Sequence, residues 1–313
     1  MYTLTKYTSE HQTLWDNFVS TAKNSSFLFY RNFMEYHKDR YEDHSLLLFK
    51  KDKLVALFPA NQQENCLYSH QGLTFGGLVL PKNIGADEVN QLLLSVMDYA
   101  KAENFQELIV KTIPEIYHTQ KTNELLYFLS LQGKLQSRNL VLAIDYSQEV
   151  QLHKTKRKHF DKNHVLGFEI EENGSFPEFW NDVLAPKLDS KYSAKPVHSL
   201  AEITKLATLF PSNIIQYNIK LEGEILAGIT IFKHNNVVKS QYGANTTKGA
   251  SLRALEYLFI YLIEKFEKEN MQYFSMGTVD ADNEQGYNSG LLKQKEELGC
   301  VCFTQDIFKI SLT

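Results

Sequence analysis

The sequence has few cysteines, few prolines, no long uninterrupted apolar run and no large excess of either charge. Each shortage excludes something. Cys66, Cys300 and Cys302 are three thiols in 313 residues, an odd and sparse set that does not read as a disulfide framework and suits a reducing compartment. No second ligand pair stands near Cys300 and Cys302 at zinc-like spacing, so no metal site is expected. The longest greasy helical stretch, Leu252 to Phe266, is broken by Arg253, Glu256 and Glu264, which argues against a membrane-spanning helix. The opening Met1-Tyr-Thr-Leu-Thr-Lys lacks the basic-then-apolar pattern of a secretory leader, and a cytoplasmic location is expected. A formal net charge of −4 argues against broad affinity for DNA or for an anionic membrane.

What is present is material for two cores. Hydrophobic residues make up 43% of the chain, with 17 tyrosines and 20 phenylalanines, and the length exceeds the usual single domain. The same order of elements reads twice. The first half has an amphipathic helix around Trp15, Phe18 and Val19, then a hairpin over Ser45 to Pro59 and a strand at Leu67 to Ser69. A helix from Asp87 to Glu103, a strand Glu107 to Lys111, a helix over Asn123 to Leu131 and a closing strand near Ile144 follow. The second half repeats this with a helix at Phe179, Trp180 and Val183, a hairpin over Ile214 to Phe232 and a strand Val237 to Tyr242. It ends with a helix Leu252 to Glu267, a strand Tyr273 to Met276, a helix Gly290 to Leu298 and a last strand Val301 to Ile310. Spacings agree as well: Leu108 to Val141 and Phe274 to Ile307 are both 33 residues apart. Ser69-His-Gln-Gly72 echoes Ser240-Gln-Tyr-Gly243 at matching places. An ordered series of this kind indicates duplication. Two tandem α/β domains with mixed sheets are expected, over residues 1–147 and 148–313.

The junction holds the most basic stretch of the chain, His153-Lys-Thr-Lys-Arg-Lys-His-Phe-Asp-Lys-Asn-His164. It reads either as a solvated helix over the joint or as cations facing a phosphorylated substrate.

Two segments invite chemistry. In Gln241-Tyr-Gly-Ala-Asn-Thr-Thr-Lys-Gly-Ala-Ser251 a strand runs through a small-residue loop into a long helix. Exposed N–H groups at a helix start make an anion site; Gly249, Ala250 and Ser251 would let a pyrophosphate approach, and Lys248 adds a charge. The same glycines also serve ordinary turns. In Phe274 to Gly299 a strand ends at Gly277, a polar loop follows with Asp280, Asp282 and Asn283, and Asn288 caps the next helix.

This order of elements resembles the GNAT acyltransferase superfamily, in particular the tandem branch that includes the Fem-type aminoacyltransferases of peptidoglycan cross-bridges. The resemblance covers nearly the whole chain. It is carried by Trp15-Asp-Asn-Phe-Val19, by Phe33 to Asp43, by Tyr68-Ser-His-Gln-Gly-Leu-Thr-Phe-Gly-Gly77 and by the two second-half segments, above all Asn288-x-Gly-Leu-x-x-x-Lys-x-x-x-Gly299. It implies that an amine attacks an activated acyl carbonyl, usually an acyl-CoA thioester. The donor would meet Tyr242, Gly243, Ala244, Lys248, Gly249, Ala250, Ser251 and Asn288, with acyl-CoA as co-substrate and no permanent cofactor. A splayed strand pair ending near Tyr242 and Met276 would receive the pantetheine arm and offer N–H groups to the oxyanion.

The match departs from the family in two places. Thr246-Thr-Lys-Gly-Ala-Ser251 is looser than the usual Arg/Gln-x-x-Gly-x-Gly/Ala loop. Where ordinary members place a tyrosine seven residues after the capping asparagine, this sequence has Lys295, a substitution that resembles the Fem-type branch. Lys295 is the first catalytic candidate, with Tyr287 and Asp280 candidates by position. The alternative for Lys295 is a solvated helix lysine. His37, Arg40, His70 and Gln71 are expected to shape the acceptor pocket in the first domain. The expected acceptor is a small or nucleotide-linked amine such as an amino sugar, taken by a monomer or dimer. Two alternatives stand beside this: a Fem-type enzyme using aminoacyl-tRNA and a cell-wall precursor, and a binding module that kept the fold without catalysis.

Overall fold

The computed structural model describes residues 2–313. It divides into two compact units, Met1–Asn139 with Phe303–Thr313, and Leu140–Cys302. This differs from a division at 147. The last strand, Val301–Ser311, was expected to close the second half, yet its residues Ile307 to Ser311 pair antiparallel with Lys111 to Glu107 of the first unit. The strand Lys134–Asp145, expected to close the first half, pairs through Val141 to Asp145 with Thr278 to Tyr273 of the second unit. The closing strands are exchanged. Periodicity reads each strand's two faces but not the edge it joins, so the swap is invisible in the sequence.

In the first unit the strand Tyr2–Lys6 and the hairpin Leu46–Lys50 with Lys53–Phe58 form an antiparallel sheet. A second ladder runs through Asn61–Gln63, Cys66–Tyr68, Glu107–Lys111 and the last strand. The helix Ala86–Ala102 buries Val89, Leu92, Leu93, Val96, Met97 and Ala100 at helical spacing. They join Leu46, Phe58, Leu108, Phe308 and Ile310 in one apolar cluster.

The second unit is built on Glu169–Glu172, Ile214–Leu221, Glu224–His234, Val237–Asn245, Tyr273–Thr278 and the far end of Lys134–Asp145, hydrogen-bonded in that order. Its hairpin turns on Glu222 and Gly223, both at positive φ (51° and 79°), the geometry that matches strand twist in a two-residue loop. The long helix starts at Ala254 rather than Leu252. A short helix, Thr247–Ser251, precedes it, and Arg253 at φ 55° breaks the two apart. Helix Ala254–Lys268 buries Leu258, Leu262, Ile263 and Phe266 against the sheet.

The basic stretch forms the helix Lys154–Asn163 and belongs to the second unit. Phe160 is buried, Lys156 pairs with Glu256 and Glu297, and Arg157 pairs with Glu264. Two of the charges that suggested a phosphate site are thus matched to carboxylates of the same unit. No helix among the described residues is long and apolar enough to cross a membrane.

Candidate functional site

The strands Val237–Asn245 and Tyr273–Thr278 run parallel and pair at Val237–Tyr273, Val238–Phe274 and Lys239–Ser275, where their ladder stops. On its other edge, Val237–Asn245 pairs Ser240 with Ile231 and Tyr242 with Thr230, leaving Gln241 as an extra residue. Such a bulge bends and twists a strand, and here it coincides with the parting of the two strands. In the gap lies a cavity of about 430 Å³. Ser240, Gln241, Gly243 and Ala244 line it from one strand and Met276 from the other; Leu255, Phe259, Leu291, Gln294 and Lys295 come from the flanking helices. Gly243 has no side chain to fill this space: a Cβ there would lie 3.5 Å from the tip of the Phe259 ring.

Lys295 sits on the helix Ser289–Glu297 with 7% of its surface exposed. Asn288 caps that helix as expected, its side-chain oxygen accepting from Leu291 N–H at 2.9 Å. The cap fixes the helix start, and two turns later Lys295 Nζ donates to the carbonyls of Thr278 (2.8 Å) and Gly277 (3.3 Å). Burial pushes its pKa down to about 8, opposed by the thiol of Cys300 and the carboxylate of Asp280. An amine so placed holds a proton at neutral pH and gives it up readily, as a proton donor in catalysis requires.

The other expected site residues divide. Gly243 and Ala244 line the cavity with Lys295. Tyr242 does not. Its ring meets Trp180 edge-on at 5.2 Å, and its hydroxyl lies 2.5 Å from His198 Nδ1. Side chains alternate along a strand, so Gly243 and Tyr242 face opposite sides. Lys248 is ion-paired with Glu224. Gly249 donates its N–H to Thr246 Oγ1, and a Cβ on it would lie 2.1 Å from Leu226 O, so its lack of a side chain serves packing. Ala250 N–H donates to Thr246 O and Ser251 Oγ to Lys248 O, bonds within the short helix. Asp280 and Tyr287 form an isolated bridge in the loop before Asn288, and Asp280 accepts from Leu140 N–H. Both are exposed and neither lines the cavity.

In the first unit, His37 and His70 are buried and stacked at 5.1 Å, with Tyr41 edge-on to His37. Burial, with the neighbouring His37, drives the His70 pKa down to about 3, so the imidazole is neutral. Gln71 is bonded to Asn61 through both backbone and side chain, and Arg40 lies over the Tyr36 ring at 5.3 Å. His70 and Gln71 line an open cavity of about 320 Å³ with Tyr68, Lys111 and Gln136.

Sequence reasoning missed the third wall of the second unit's cavity, Leu184, Lys187 and Leu188. They lie where helix Phe176–Glu178 passes through a π-helical segment, Phe179–Leu184, into Ala185–Tyr192. The apolar spacing announced a helix there, but nothing in it announced a cavity.

Solved structures share this arrangement along the whole chain. A structure described as FemX superposes with a TM-score of 0.68 at 11% identity, covering 97% of this chain and 96% of its own. The chain has the tandem GNAT fold in its Fem-like form. A tandem GNAT protein from the clavulanic acid biosynthesis pathway matches at TM-score 0.55 and 8% identity, over 100% of this chain and 99% of that one. L-PGS from Bacillus licheniformis matches at 0.59 and 14% identity, over 85% and 83%. No protein-family model and no curated protein sequence matches the chain.

Proposed function

We propose that the protein is an acyl-group transferase whose second unit holds the activated donor, with Lys295 as its catalytic residue. The observation that carries this reading is the buried ammonium at the parted strands, held by two backbone carbonyls and opening on a cavity. An acceptor amine attacks the donor carbonyl carbon, and the new C–N bond forms as the oxygen takes up negative charge. Collapse of this intermediate breaks the bond to the leaving group, a thiolate when the donor is an acyl-CoA. Lys295 gives that group its proton, and the attacking nitrogen loses one to water. Before collapse the same ammonium stabilises the oxyanion. The acceptor is a small or nucleotide-linked amine.

Acyl-CoA is the donor favoured by the cavity, whose parted strands suit an extended pantetheine arm. The likeness to FemX over 97% of the chain supports a second reading, in which the donor is an aminoacyl-tRNA of the Fem type. Calorimetric titration with acetyl-CoA separates the two: no heat at millimolar ligand sinks the thioester reading, and binding of charged tRNA instead supports the second. With the donor that binds, Lys295→Met should lower turnover at least about tenfold while donor affinity changes less than about threefold. Unchanged turnover would remove Lys295 from the mechanism.

A further inference from the structure

The chain treats its sheltered lysines in two ways. Lys23, Lys156, Lys220 and Lys265, all with little exposed side chain, meet carboxylates: Glu124, Glu256 with Glu297, Glu171 with Glu178, and Glu172 with Glu269. Lys295 is as sheltered, yet its two partners are carbonyl oxygens, and it makes no ion pair among the described residues. The cavity it faces continues the pattern. Leu184, Leu255, Phe259, Met276 and Leu291 give it apolar surface, Ser240, Gln241, Asn245 and Gln294 give it neutral polar groups, and Lys187 is a second cation on its lining. No aspartate or glutamate appears among the described lining residues. Asp280, whose charge reaches Lys295, is exposed and stands outside that lining.

We infer that this cavity selects an uncharged, apolar acyl group and rejects one carrying an ammonium. A cationic acyl group would give up its hydration to enter a lining of apolar and neutral polar groups, and would find two like charges and no carboxylate to offset them. An alkyl chain loses nothing there and gains contact with the leucines and Phe259. The inference rests on the donor reading of the cavity and narrows the substrate class within it: acyl groups without an amine are preferred over aminoacyl groups.

The test compares two unreactive ligands of similar length, S-hexyl-CoA and S-(6-aminohexyl)-CoA, by calorimetry on the full chain. A second pair, adenosine bearing a 3′-hexanoylamide or a 3′-(6-aminohexanoyl)amide, serves the nucleic acid donor. In whichever pair binds, the uncharged member should bind at least tenfold more tightly. Leu291→Asp, at a half-buried position of the wall, should narrow that ratio at least fivefold or invert it. Equal affinities in the unaltered protein would overturn the charge selection and leave the donor reading standing. Binding by neither pair would overturn the donor reading, and the inference with it.

Discussion

In the first unit, Cys66, Leu67 and Tyr68 pair in parallel with Glu107, Leu108 and Ile109; in the second, Val237, Val238 and Lys239 pair with Tyr273, Phe274 and Ser275. Beyond those three rungs the units differ. In the first, the chain turns at His70, which takes a φ of 70°. Ser69 Oγ accepts from Lys111 N–H, and Gly76 N–H returns to Lys111 O. Gln305 then bonds the carbonyls of Thr74 and Thr112, and the gap is filled by the protein's own loop. In the second, the strand runs on to Asn245 past the bulge, and the gap stays open. The helix that follows differs in the same sense. Seven residues after Asn288 stands the buried Lys295, whereas seven after Asn123 stands Ser130, exposed and bonded to Tyr127 O. One ladder thus continues into a bonded turn, and its copy parts around a cavity.

Three perturbations break or sharpen this comparison. The largest effect is expected from Gly76→Ala. A Cβ there would lie 2.0 Å from the Ser69 carbonyl oxygen, and backbone has no rotamer with which to yield. We expect a loss of about 3 kcal/mol or more in urea unfolding; a loss below about 1 kcal/mol would mean that the loop does not depend on this close approach.

Next is the pH response of Lys295. Its folded pKa of about 8 lies below the ordinary lysine value, so between these two the unfolded chain binds the extra proton. Stability should therefore rise as pH increases from about 8 to 10.5, by up to about 3 kcal/mol, and below pH 8 the full cost of burying the ammonium is present. The rise should be smaller in Lys295→Met at the same ionic strength; an identical rise would assign it to other groups. If Lys295 is the acid, turnover should also fall as pH passes about 8, and that limb should vanish in the variant.

The smallest effect on stability belongs to Gly243→Ala. Its Cβ would make an ordinary 3.5 Å contact with Phe259, so unfolding should shift by less than about 1 kcal/mol. Because the methyl group projects into the cavity, donor affinity should drop severalfold. Unchanged affinity would show that the donor does not pass Gly243.

Much of the fold was legible in the sequence because it rests on periodicity. Val89, Leu92, Leu93 and Val96 mark one helix, and the alternation around Glu222-Gly223 marks one hairpin. Lys295 was singled out by the family resemblance, seven residues after the capping asparagine, and that cap is present. The loop from Lys248 to Ser251 was less legible. Small residues suit an anion cradle and a tight helical turn alike, and the carbonyl of Leu226, which requires Gly249 to be bare, is distant in sequence. The Ser-x-x-Gly echo misled, because Ser240 to Gly243 is strand and Ser69 to Gly72 is turn.

The sequence by itself determined the element order, the duplication and the place of Lys295 on its helix, all consequences of local spacing and capping. Only the tertiary structure decided that the closing strands change units, that one strand pair parts while its copy is plugged, and that Lys295 meets carbonyls rather than carboxylates. Those outcomes depend on which backbone edges and which buried partners meet across more than a hundred residues, and a periodic pattern carries no record of that.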